Sequence, residues 1–97
     1  MNPEELIHHI DREYCLAFLA KMVQHKSYSA TEGERELARY MAEQMAQLGL
    51  ETELQPVAGD RLNAIGRLAG SGGGHSLLFN GHLDTNPVTE GWTVDPC

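Results

Sequence analysis

The spacing of apolar residues changes at Gly49, and this change is what most constrains the fold. Before Gly49, apolar side chains recur every three or four residues, which is the period of a helix with one apolar face. After it, Thr52 and Leu54 alternate with charged or amide side chains, which is the period of a strand with one covered face. The sequence therefore predicts a helical first half and a second half built of strands.

Two helices are predicted in the first half. Asn2 can cap the first helix, with Pro3 at its first position, where a missing N–H costs nothing. Asp11 offers a second capping side chain, so this helix either bends or restarts there. The apolar face of the first helix is predicted to comprise Tyr14, Cys15, Phe18, Leu19, Met22 and Val23.

The second helix is predicted from two overlapping capping boxes and a glycine stop. Ser29 pairs with Glu32, and Thr31 pairs with Glu34, in the spacing of a capping box. Gly49 stands where a residue in the left-handed conformation ends a helix. We expect this helix to cover residues 31–48, with a buried stripe of Leu37, Met41, Met45 and Leu48.

Three strands are predicted in the second half, over residues 51–57, 62–68 and 76–80. The third is a short unbroken apolar run, which is typical of a strand covered on both faces. The glycine-rich residues 69–75 connect the second and third strands. The order ααβββ predicts an α/β layered architecture. We expect one partial domain over residues 1–97, helical over 1–50, with strands and a metal-site loop over 51–97.

Charge and composition exclude several kinds of partner. The formal net charge is −7 with only 7 Lys and Arg residues, which argues against nucleic acid and against anionic membrane surfaces. No run approaches the roughly 20 apolar residues that cross a bilayer, and the acidic N-terminus does not resemble a secretory signal. Two distant cysteines, Cys15 and Cys97, are too few for a disulfide framework, so a reducing cytoplasm is predicted.

The candidate chemistry lies in residues 81–85, directly after the third predicted strand. In extended backbone, His82 and Asp84 project to the same side because they are two residues apart. A neutral imidazole is a good zinc ligand, and a nearby carboxylate can hold the orientation of its ring. The spacing alone is more typical of a turn histidine followed by an aspartate that begins an Asx turn.

The wider run Leu78-Phe79-Asn80-Gly81-His82-Leu83-Asp84-Thr85-Asn86-Pro87, followed by Trp92-Thr93-Val94-Asp95-Pro96, favours the metal-site interpretation. It resembles the N-terminal metal-binding stretch of the M20 family of zinc amidohydrolases and exopeptidases, of the deacetylase, desuccinylase and carboxypeptidase G type. The upstream features that agree with this family are Ser27, Gly33-Glu34, Leu48-Gly49-Leu50 and Arg61-Leu62-Asn63. The resemblance therefore covers nearly the whole chain.

The resemblance implies the N-terminal part of a zinc-exopeptidase-like catalytic domain that hydrolyses N-acyl amino acids or small peptides. It implies two zinc ions, with cobalt as a substitute. His82 matches the family's histidine ligand to one ion, and Asp84 matches its catalytic carboxylate, which supports the metal centre without binding it. Asn63 matches an asparagine of the second strand with a supporting role at most. The family's other ligands have no match in these residues, so the isolated chain is predicted to be inactive.

A different class of function is a stand-alone, non-catalytic interaction module with a vestigial metal site. The family resemblance implies that a later strand lies beside the apolar run Leu77–Phe79, and the absence of that strand would leave an unpaired edge. Such an edge pairs readily with another chain. Self-association through an exposed strand edge is therefore predicted under either function.

Overall fold

Three helices precede two strands in the computed structural model, which describes residues 2–97. The elements are α1 (Pro3–His8), α2 (Arg12–Gln24), α3 (Glu32–Gln47), β1 (Glu51–Pro56) and β2 (Leu62–Arg67). The predicted mixed α/β class is confirmed. The number of elements differs from the prediction, because the first helix is divided in two and the described residues form two strands instead of three.

The division of the first helix lies at Asp11, so the predicted restart occurs. At the start of α1, the Asn2 side chain accepts a hydrogen bond from the Glu5 amide at 2.9 Å, and the Glu5 carboxylate accepts one from the Asn2 amide at 3.3 Å. At the start of α2, the Asp11 carboxylate accepts a hydrogen bond from the Tyr14 amide at 3.0 Å. Helices α1 and α2 therefore each have their own side-chain cap.

The start of α3 matches the predicted position, but its capping bonds differ from the two predicted boxes. The Thr31 hydroxyl donates to the Tyr28 carbonyl at 2.6 Å instead of accepting from the first turn of the helix. The Glu34 carboxylate accepts from the Ala30 amide at 3.2 Å. These side chains therefore stabilise the turn before α3 more than the helix itself.

The end of α3 is a Schellman motif, as the glycine stop predicts. Gly49 has φ +94°. The Leu50 amide donates to the Met45 carbonyl and the Gly49 amide donates to the Ala46 carbonyl, both at 3.0 Å. The chain therefore reverses within two residues and leads directly into β1.

β1 and β2 form an antiparallel hairpin whose register runs from Glu51 opposite Arg67 to Pro56 opposite Leu62. Helix α3 packs across both strands. The close approach requires Gly66, because a Cβ there would lie 2.5 Å from the Met45 sulfur. The buried apolar core is small and lies on α3, comprising Leu37, Ala38 and Ala42.

The apolar face that the sequence predicts for the first helix lies on α2 and is mostly open. Phe18 packs against Tyr40 of α3 with ring centroids 5.9 Å apart, and Tyr40 also contacts the His25 ring at 4.6 Å. Tyr14, Leu19 and the other large apolar residues of α2 are exposed or half-buried. On α3, the predicted stripe is deeply buried only at Leu37, since Met41 and Met45 are half-buried and Leu48 is exposed.

The predicted third strand, residues 76–80, is not paired in the described structure, and Leu77, Leu78 and Phe79 are 79%, 84% and 86% exposed. Strand preference alone does not make a strand, because the backbone groups need a partner strand. The radius of gyration of 16.1 Å exceeds the ~12.5 Å typical of a compact chain of this length.

Candidate metal site

The candidate site segment is held against the turn between α2 and α3. The Thr85 amide donates to the Ser27 carbonyl at 2.9 Å, and the Ser29 amide donates to the Thr85 carbonyl at 3.2 Å. These two bonds make a short parallel bridge centred on Tyr28 and Thr85. A third bond runs from the buried Ser27 hydroxyl to the Leu83 carbonyl at 2.7 Å. Residues 83–85 are therefore fixed by the N-terminal half of the chain.

His82 and Asp84 lie in direct contact at this point. The Nδ1 atom of His82 is 3.1 Å from the Asp84 carboxylate and 2.9 Å from the Asp84 carbonyl oxygen. The His82 side chain is 84% exposed, whereas the Asp84 side chain is 37% exposed. The contact brings the two predicted site residues together, with the imidazole directed into solvent and the carboxylate partly covered.

The surroundings of the His82 ring determine which of its nitrogens is free. Both neighbours of Nδ1 are oxygen acceptors, so Nδ1 carries the proton in the neutral ring and donates to Asp84. The lone pair of the neutral imidazole is then on Nε2. Metal-binding histidines commonly donate from one ring nitrogen to a carboxylate or carbonyl and bind the metal through the other. The pair thus fits the contribution of one imidazole ligand to a zinc ion.

Within residues 2–97, no three His, Cys, Asp or Glu side chains come together as a metal-binding group. His82 and Asp84 contribute one candidate ligand and its oriented partner. Asn63, the predicted supporting residue, lies on β2, and its amide donates across the hairpin to the Gln55 side chain at 3.1 Å.

An ion pair that sequence reasoning missed lies beside this segment. Glu34 is only 5% exposed, and its two carboxylate oxygens accept from Arg61 Nε at 2.8 Å and Arg61 Nη2 at 2.9 Å. These hydrogen bonds hold the pKa of Glu34 below its ordinary value, although burial and the nearby negative charge of Asp84 oppose the shift. The pair therefore stays charged next to the candidate site.

A signal for this pair is present in the sequence. Glu34 lies three and four residues before Leu37 and Ala38, so it shares the buried face of α3 with them. A carboxylate at a buried position requires a cationic or hydrogen-bonding partner. The helix period thus predicts that Glu34 has a partner, but it does not identify that partner as Arg61, which lies 27 residues away.

The fold and the site together describe an α/β chain that presents a histidine–carboxylate pair at the end of a hydrogen-bonded segment. The chain is similar to acetylornithine deacetylases. It is 43% identical to the enzyme of Salmonella arizonae over 77 residues, which are 72% of this chain and 20% of that enzyme. It is 36% identical to the enzyme of Aliivibrio fischeri strain MJ11 over 66 residues, which are 67% of this chain and 17% of that enzyme.

The chain therefore spans about a fifth of the length of the curated relatives that it matches. No family model and no solved structure matches it. Among residues 2–97, no helix is both long enough and apolar enough to cross a bilayer.

Proposed function

We propose that this chain is the N-terminal metal-site segment of a zinc-dependent hydrolase of the M20 type that cleaves the amide bond of an N-acyl amino acid. The observation that carries the proposal is the contact between His82 and Asp84, which leaves Nε2 of the imidazole free. The similarity to acetylornithine deacetylases supports it and favours an N-acetylated amino acid as the substrate.

In this function, His82 binds one of two zinc ions through Nε2. Asp84 accepts a hydrogen bond from the Nδ1–H group of His82, which fixes both the tautomer and the orientation of the ring and makes the imidazole a better ligand. When bound, zinc, or cobalt as a substitute, would polarise the substrate carbonyl and activate a water molecule near neutral pH. A catalytic zinc takes about three protein ligands, and His82 is one. We therefore expect residues 1–97 alone to be inactive. The two free thiols, Cys15 and Cys97, agree with a cytoplasmic setting.

The test is to replace the matched segment of the Salmonella arizonae acetylornithine deacetylase with this chain and to measure zinc-dependent hydrolysis of acetylornithine. We expect His82→Ala to lower kcat/KM more than ~100-fold and Asp84→Asn to lower it ~10- to 100-fold. The matched control is His75→Ala, which changes an exposed histidine of the glycine-rich loop. Equal activity of the His82→Ala and His75→Ala chimeras would exclude the proposal.

A second readout uses the 97-residue chain itself. Nitrogen-15 NMR spectroscopy of the histidine rings distinguishes the two neutral tautomers by their ring-nitrogen chemical shifts. We expect the neutral His82 ring to carry its proton on Nδ1, and Asp84→Ala to shift the ring toward a mixture of the two tautomers. A wild-type His82 ring with its proton mainly on Nε2 would contradict the proposed ligand atom.

The second candidate function is that of a non-catalytic interaction module. It is favoured by the exposed apolar run Leu77–Phe79 and by the open face of α2. We propose that the apolar run associates with a second copy of the chain, since an unpaired extended segment readily pairs with an identical one. This association is compatible with either function, so the activity of the chimera is what separates them.

A further inference from the structure

The turn between α2 and α3 does more than connect two helices. Its residues Ser27 and Ser29 make all three hydrogen bonds described above to Leu83 and Thr85. Two of these bonds use backbone atoms, which any residue provides. The third uses the Ser27 hydroxyl, and Ser27 is only 1% exposed. Of these three hydrogen bonds, the one from Ser27 to the Leu83 carbonyl is therefore the one that depends on the identity of a side chain.

The turn has an unusual backbone that the surrounding structure must maintain. Lys26 and Ala30, which flank the bonded residues, have φ of +49° and +62°, a region that residues other than glycine seldom adopt. Such conformations persist only where neighbouring contacts enforce them. Here the Tyr28 amide donates to the Lys26 carbonyl at 2.8 Å, and the Ala30 amide donates to Glu34 at 3.2 Å. The backbone conformation of the turn is thus held by one hydrogen bond at Lys26 and another at Ala30.

Glu34 connects this turn to the hairpin. Its carboxylate accepts from the Ala30 amide and from both donors of the Arg61 fork at the same time. Arg61 directly precedes β2, and its backbone is held in the hairpin turn because the Val57 amide donates to the Arg61 carbonyl at 3.0 Å and the Arg61 amide donates to the Ala58 carbonyl at 3.1 Å. A buried carboxylate with three donors has little freedom to move. The turn, α3 and the hairpin are therefore joined through one side chain.

We propose that Ser27 is a positioning residue for the His82–Asp84 pair, and that the Glu34–Arg61 ion pair holds Ser27 in place. The Ser27 hydroxyl fixes the carbonyl of Leu83, which is the residue between the two site residues. Fixing this peptide sets the direction from which His82 presents Nε2. The functional meaning of this role depends on the proposed hydrolase, whereas the structural role can be tested without it.

The test compares Ser27→Ala with Ser29→Ala in the 97-residue chain by amide hydrogen exchange. Both variants remove one hydroxyl, but only the Ser27 hydroxyl bonds to residues 83–85, because Ser29 uses its backbone amide. Loss of one buried hydrogen bond should reduce the protection of the Thr85 amide about three- to tenfold in Ser27→Ala. We expect the protection of amides within α3 to change less than twofold in either variant.

The His82 ring gives a readout that loss of stability alone does not move. In folded Ser27→Ala, we expect the fraction of rings protonated on Nδ1 to fall toward that of Asp84→Ala, with Ser29→Ala unchanged. In Glu34→Gln, the Thr85 amide should lose protection in the same direction, because the turn loses its ionic anchor. Unchanged Thr85 protection and an unchanged His82 tautomer in Ser27→Ala would overturn the proposal.

The chimeric enzyme separates this proposal from the proposed function. If the function is correct, Ser27→Ala should lower kcat about three- to tenfold with little change in KM, compared with Ser71→Ala in the exposed glycine-rich loop. Loss of activity in His82→Ala with full activity in Ser27→Ala would reject the positioning role and leave the hydrolase intact. Full activity in His82→Ala would reject the hydrolase, and the exchange data would then decide the structural role alone.

Discussion

Replacing Gly33 by alanine should destabilise the chain although the residue is helical. Gly33 is the second residue of α3. A Cβ at this position would overlap the Lys26 carbonyl oxygen and lie 2.8 Å from the His25 carbonyl oxygen. Carbon and oxygen normally approach to roughly 3.3–3.6 Å, so the helix or the turn would have to move by about 1 Å to clear the Lys26 oxygen. Both oxygens belong to backbone, which cannot rotate away as a side chain can.

The change in the free energy of unfolding caused by Gly33→Ala is the difference between two opposing contributions. Alanine is favoured over glycine by up to ~1 kcal/mol within a helix. Overpacking costs about 1–3 kcal/mol, and contact with backbone places this site at the upper end of that range. We therefore expect Gly33→Ala to lower the free energy of unfolding by about 2 kcal/mol. For a small domain this corresponds to a urea midpoint lower by about 1 M.

The assay is urea unfolding followed by circular dichroism, with two matched glycine variants. At Gly66, the new Cβ would meet the ends of the flexible Met45 and Leu50 side chains, so we expect a smaller loss of about 1 kcal/mol. At Gly70, nothing lies within 4 Å, so the change should stay within about 0.5 kcal/mol. A midpoint for Gly33→Ala equal to or above that of Gly70→Ala would refute the close contact between α3 and the turn.

Three further outcomes follow from burial and charge. Leu37→Ala should cost about 2–5 kcal/mol of unfolding free energy in urea unfolding, because Leu37 is 1% exposed in a small core, and a loss below 1 kcal/mol would contradict that packing. Arg61 lowers the pKa of Glu34, so the pair stabilises the fold above the unfolded value of 4.5, and this contribution is lost as the pH falls toward the lowered folded value. Glu34→Gln should therefore flatten the loss of stability below pH 4.5 in acid titrations, and a parallel curve would argue against the pair. Light scattering should give a mass above the monomer's 10.7 kDa that falls in Phe79→Ser but not in Leu6→Ser, and a monomeric wild type at high concentration would exclude self-association.

The elements that sequence analysis predicted correctly are those determined by neighbouring residues. The end of α3 requires only Gly49 and the residues on either side of it, and its Schellman bonds form as predicted. The hairpin strands require alternation and a short turn, and they lie within one or two residues of their predicted bounds. Asp11 likewise caps α2 through an amide three residues away. Local bonds of this kind are encoded by local spacing.

The predictions that failed depend on residues far apart in the chain. Residues 76–80 have the composition of a strand, but a strand also needs a partner, which the alternation of a single segment does not specify. Glu34 was predicted as part of a capping box, yet its carboxylate pairs with Arg61, 27 residues away. The bond from Ser27 to Leu83 spans 56 residues. No periodicity predicts such a contact.

The contact between His82 and Asp84 has both a local and a distant cause. Their two-residue spacing allows the side chains to meet, which is the part that the sequence predicts. The expected support was a paired third strand leading into the site, but residues 76–80 are exposed. The support comes instead from Ser27 and Ser29, in the turn that follows α2. In the part of the chain that the structure describes, the bonds to residues 83–85 from beyond the site segment itself come from the helical half, so this half, and not a third strand, is the proposed source of the orientation of the candidate metal ligand.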